Sequence, residues 1–139
     1  MSYRGGHEMK TLLLCGALLI IFSIAIGWLI IARKYLALEI FKKLIRDDKK
    51  LVKAHIDYVM MALLLMAFFL IGIELPILLI VLACAGALAD PALFIFLSVK
   101  PDVNRKIGSP FSIISTVVFL VTTAGIGGTA LFIIVELLK

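Results

Sequence analysis

Little in this chain belongs to a soluble enzyme. It has two cysteines, Cys15 and Cys84, set in separate apolar runs with no CxxC. That argues against a zinc site or dithiol centre and leaves each thiol as a small hydrophobe. No phosphate loop, Ser/His/Asp set or metal-spaced His/Cys cluster is present. No stretch alternates as the strands of a membrane barrel do, and no repeat or low-complexity segment occurs. Acidic residues are few, 9 against 14 Lys and Arg, and the positives gather between apolar runs. There they read as topological signals and headgroup partners, so no nucleic acid is expected as a ligand.

What the chain does have is apolar sequence: 63% hydrophobic residues and a mean hydropathy of +1.19, against about 45–50% apolar in a soluble domain. The excess comes in runs at residues 11–32, 51–73, 75–98 and 111–138, each long enough to cross a bilayer. Backbone polar groups in lipid must be satisfied within the segment. The expected architecture is therefore all-α: one transmembrane domain over residues 1–139, an integral membrane four-helix bundle.

The first run is longer than a signal-peptide core and lacks a small-x-small exit, so it reads as a retained span. Gly16, Ser23 and Gly27 recur on it at helical spacing, and residues 122–129 of the fourth span are small. Both stretches suit close helix approach. Residues 34–46 place Leu36, Ile40, Phe41, Leu44 and Ile45 three or four apart among Lys42, Lys43 and Arg46, the pattern of an interfacial amphipathic helix. Gly72 and Pro76 frame a tight turn, with Glu74 as a plausible cap.

Four spans put both termini and the second loop on one side. The first and third loops carry eight and three Lys or Arg, against three on the other side. By the positive-inside rule both termini face away from the cytoplasm. The expected location is a bacterial inner (cytoplasmic) membrane, with the lipid bilayer as the constant partner.

His55, Asp57 and Asp90 lie inside the runs, where an ionisable group costs roughly 2.5–3.5 kcal/mol on the mildest scale. His55 and Asp57 enter the second span directly behind Lys49, Lys50 and Lys53. Asp90, followed by Pro91, sits in the third. At 1.5 Å per residue, Asp57 and Asp90 lie about 9 and 12 Å from the cytoplasmic ends of their helices. The three groups therefore share one layer. His55 and Asp57 are two apart, about 200° around the helix, and cannot share a face. His55 lies in a stripe with Tyr58, Val59 and Ala62, and Asp57 in one with Met61, Leu64 and Phe68.

Bland explanations compete. His55 can snorkel among the lysines, Asp57 can pair with Lys53 one turn back, and Pro91 frees a carbonyl near Asp90. The sharper reading makes His55 an axial ligand of haem iron, with Met60, Met61, Met66, Phe68 and Phe69 enclosing the porphyrin. Lys49, Lys50 and Lys53 would then meet its propionates. With no second histidine strongly placed in the membrane, one iron face is expected to be open.

Lys53-Ala54-His55 at the head of the second span, followed by a methionine-rich helix, resembles the small membrane isomerases typified by styrene oxide isomerase and hydroxylaminobenzene mutase. The glycine-bearing first span, Leu93-Phe94-Ile95-Phe96 closing the third, the polar loop and the small-residue fourth span follow in the same order. The resemblance implies a homo-oligomer, a trimer, holding haem b between protomers. It makes His55 the axial ligand and ferric iron a Lewis acid on a small substrate. The family's catalytic companions are not matched: Met61 stands in place of an asparagine, Phe94 in place of a tyrosine, and Gly86 near an aspartate position. Asp57 does match an acidic residue of the mutase-like members.

Three functions follow. The first is a haem-binding, isomerase-like protein in which Asp57 or Asp90 handles a proton, with His55 as metal ligand and Lys49, Lys50, Lys53, Tyr58, Met61 and Phe94 around the cofactor. The second is an accessory subunit of a membrane complex. The third is a proton or cation transporter using Asp57 and Asp90.

Overall fold

The computed structural model describes residues 4–36 and 38–139; Met1–Tyr3 of the polar amino-terminal segment and Ala37 of the expected interfacial helix lie outside the described residues. The chain forms α1 (Arg4–Lys34), a short α2 (Glu39–Leu44), α3 (Asp48–Ile71), α4 (Ile77–Val99), α5 (Pro110–Thr122), a π turn (Thr123–Gly127) and α6 (Gly128–Leu137). Four stretches, with α5 through α6 continuous, are long and apolar enough to cross a membrane. No strand forms among the described residues. The chain is an all-helical membrane protein.

The helix ends follow from local chemistry. Asp47 caps α3 by accepting from the Lys49 and Lys50 amides, which satisfies two donors that have no intrahelical partner. Gly72 ends α3 in the left-handed region at φ 76°, open to glycine at little cost. Pro76 rather than Glu74 stands at the start of α4, and no side chain caps there. Ser109 caps α5 by accepting from the Ser112 amide, with Pro110 at its first position.

The expected helix over residues 34–46 shortens to Glu39–Leu44. Its continuation is prevented by bonds from other elements. Arg33 donates from Nε to the Ile45 carbonyl at 2.8 Å. The Arg46 and Asp47 amides both donate to the Ser98 carbonyl at the end of α4, at 2.8 and 2.9 Å. Ile45 is thereby extended and buried, not displayed on an amphipathic face. Arg46 also pairs with Asp102 at 2.7 Å, so the first and third loops meet at one end of the molecule.

The core runs along a row of helices. α1 packs on α3, α3 on α4, and α4 on α5 and the π turn. The fourth span has α4 as its chief neighbour among the described residues, so the bundle is open rather than closed around an axis. Leu12, Leu19, Leu51, Leu65 and Ile80 form its sealed interior. Only 28% of the most apolar window in each of the first three spans, and 22% in the fourth, is buried within the protomer. The remaining apolar surface faces outward, as contact with lipid requires.

Candidate functional site

The layer expected from helix rise exists, but α3 divides it into two sites. On one side is α1. The His55 ring lies against Gly27: a Cβ there would stand 3.4 Å from Cε1, at the near edge of ordinary contact. Nδ1 is 2.8 Å from the Ser23 carbonyl and 2.9 Å from Ser23 Oγ, and Ser23 Oγ donates to the His55 carbonyl at 3.2 Å. A carbonyl oxygen can only accept, so Nδ1 carries a proton, and in the neutral ring the lone pair then belongs to Nε2. Among the described residues Nε2 has no hydrogen-bond partner, and it is not a buried unpaired atom, so it opens at the protomer surface. Ser23 is buried at 1% exposure. This lock sets both the tautomer and the direction of the free nitrogen.

Tyr58, in the His55 stripe, points deeper. Its ring stacks on Phe22 with centroids 6.2 Å apart, and its hydroxyl donates to the Leu88 carbonyl at 3.2 Å. That carbonyl belongs to the turn before Pro91, where the proline ring disrupts the helical ladder.

On the other side of α3 lies α4. Lys53 swings over the Phe94 ring, with Nζ 4.1 Å from its centroid. It stands within electrostatic range of Asp57, and both stand within range of Asp90. Among the described residues Lys53 and Asp57 form no direct ion pair; the ring has taken the ammonium instead, a favourable cation–π placement. Lys49, one turn earlier, shares this side by helical spacing, while Lys50 stands about 140° from His55. The lysines expected to attend a cofactor on His55 are therefore not on its face.

Beyond Asp90 a groove of about 470 Å³ opens between α4 and α5, lined by Asp90, Phe94, Ser115 and Phe119 among others, with Arg105 at its mouth. The Ser115 hydroxyl is buried and unpaired. Sequence reading missed this groove, because Ser115 sits in an unremarkable apolar run. It also missed that Cys15 and Cys84 are neighbouring free thiols across α1 and α4; spacing along the chain cannot show a pairing of non-sequential helices.

The residues expected to enclose a porphyrin lie at different depths, with Met60 exposed. Phe68 is buried in the core, Met61 and Phe69 pack on its edge, and Met66 lies against Gly16. Gly86, near the resemblance's aspartate position, faces the backbone: a Cβ there would lie 2.5 Å from Thr122 Cα. No side chain can occupy that position in this packing. Among the described residues no group of three His, Cys, Asp or Glu gathers to hold a bare metal ion. Comparison with protein-family models, curated proteins and solved structures finds no match for this chain.

Proposed function

We propose that the chain is a haem b-binding protein of the bacterial inner membrane, with His55 Nε2 as axial ligand at a surface shared between copies of a homo-oligomer. The resemblance makes that oligomer a trimer. The first and third loops, richest in Lys and Arg, would face the cytoplasm. The observation that carries the reading is the 2.8 Å bond from His55 Nδ1–H to the Ser23 carbonyl. A metal-binding histidine characteristically donates its other ring N–H to such an acceptor, which fixes the tautomer and strengthens the ligating nitrogen. Snorkelling toward the lysines would leave Nδ1 free to face water, and here it is tied into the α1–α3 contact.

When bound, ferric haem would supply a Lewis acid toward a small oxygen-bearing substrate, an isomerase-like chemistry. The chain's own part is positional. Ser23 holds the imidazole, Gly27 admits it, and exposed Phe22, Trp28, Ile56 and Met60 on α1 and α3 offer apolar contact. Asp57 and Asp90 lie on the far side of α3, so neither handles a proton at the His55 of its own protomer; a catalytic role for them requires a neighbouring copy.

An optical spectrum of detergent-purified protein tests this. A Soret band is expected in the parent and absent in His55→Ala. Colourless protein that cannot be reconstituted with haemin would overturn it. Stoichiometric copurification of such colourless protein with a membrane partner would favour the accessory-subunit reading, which the outward apolar surface of the spans supports.

A further inference from the structure

We propose that the groove between α4 and α5 is a binding site for a small amphipathic amine: an apolar ring or short chain carrying a protonated nitrogen. This stands apart from any cofactor on His55, since the groove lies across α3 from that ring. Its volume of about 470 Å³ falls in the range of small-molecule sites. Its walls include the Phe94 and Phe119 rings, and its polar groups are few and placed at different depths.

Asp90 lies about 13 Å of helix rise from the end of α4, with no hydrogen-bond or ion-pair partner among the described residues. Ser115 Oγ is buried and unpaired on the facing helix. A carboxylate and a hydroxyl with no partner of their own are a costly arrangement inside an apolar span. An ammonium group answers both, because its N–H donors suit a carboxylate and a hydroxyl oxygen alike.

Asp90 and Asp57 stand within range of each other and of Lys53, two acidic groups to one basic at that depth, with Arg105 a second cation at the groove's outer edge. Lys53 already occupies a face of the Phe94 ring at 4.1 Å, so Asp90 and Ser115 are the groups left to receive the ligand's nitrogen. Arg105 at the mouth opposes a cation only weakly. It is held back by a 3.1 Å bond to the Pro101 carbonyl, and it is exposed, where salt screens it. Thr116 spends its hydroxyl on the Ser112 carbonyl at 2.8 Å and does not compete.

The test is calorimetric titration of the purified full chain in detergent with 2-phenylethylamine, referenced to empty micelles, and with 3-phenylpropanoate as the anionic counterpart. Saturable binding of the amine alone is expected, weakened at least ten-fold by Asp90→Asn and abolished by Ser115→Phe, which fills the groove. Helicity and elution volume establish that each variant folds. Should Asp90→Asn fail that check, Ser115→Phe decides by the same readout. Absence of saturable binding, undiminished binding in the folded variants, or equal binding of the carboxylate would each overturn the assignment.

Discussion

Two helix contacts in this molecule are both close and are differently made. Where α1 meets α3, Gly16 stands against the flexible Met66 side chain and the Ala62 carbonyl, and the Ser23–His55 pair adds a polar clasp. Where α4 meets the fourth span, backbone meets backbone: a Cβ on Gly125 would fall 2.4 Å from the Ala83 nitrogen, and one on Gly86 would fall 2.5 Å from Thr122 Cα. The first contact has give. The second has none, and the π turn at Thr123–Gly127 is part of how it is achieved. Thr129 donates to the Gly125 carbonyl at 2.7 Å, satisfying an acceptor within that distorted turn. Close packing of a rigid kind leaves irregular space beside it, and the open groove lies along that same α4–α5 seam.

Substitutions at four positions grade this difference. Gly125→Ala should be the most damaging, costing about 3 kcal/mol, the upper end for overpacking, because two backbones must part. Thermal unfolding in detergent would register it, and a parent-like midpoint would mean the fourth span packs elsewhere. Gly16→Ala should cost about 1 kcal/mol by the same measurement, since Met66 can swing aside while the Ala62 carbonyl, 3.0 Å from the new methyl, cannot. A loss matching that of Gly125→Ala would erase the distinction between the two contacts. Ser23→Ala removes the hydroxyl but keeps its backbone carbonyl on His55, so a cost of about 0.6 kcal/mol is expected, the usual value for a hydrogen bond between membrane helices. Its Soret position should be unchanged if the carbonyl alone orients the ring. Smallest of all, Gly27→Ala places a methyl at ordinary contact distance from His55 and should leave stability within about 0.5 kcal/mol. Under the proposed haem ligation, Gly27→Leu, by contrast, should displace the ring and bleach the spectrum while the protein still folds.

Much of the fold is legible in the sequence, because a bilayer asks only for length and apolarity. The four runs and the small residues at Gly16, Gly27 and 122–129 met that requirement openly. Helical geometry also separated His55 from Asp57 correctly. It could not say which helix each would face, since a period of 3.6 residues sets angles on one helix and says nothing about which neighbour occupies them. The overlong expectation for residues 34–46 failed for a related reason. Its apolar spacing was real, but Arg33 and Ser98, remote in sequence, hold Ile45 and Arg46 out of helical geometry. The groove beside Asp90 was hidden because Ser115 acquires meaning only from the absence of a partner in space.

One carbonyl, that of Ser98, has an effect out of proportion to its size. By receiving two successive amides at the foot of α3, it serves as a common origin from which heights along both α3 and α4 are counted. Sliding either rod by a single residue, about 1.5 Å, would forfeit both bonds at once, so the elevations of His55, Asp57 and Asp90 are indexed to the same point. An insertion between Asp47 and His55 would therefore shift the imidazole's altitude and bearing while leaving Asp90 where it is.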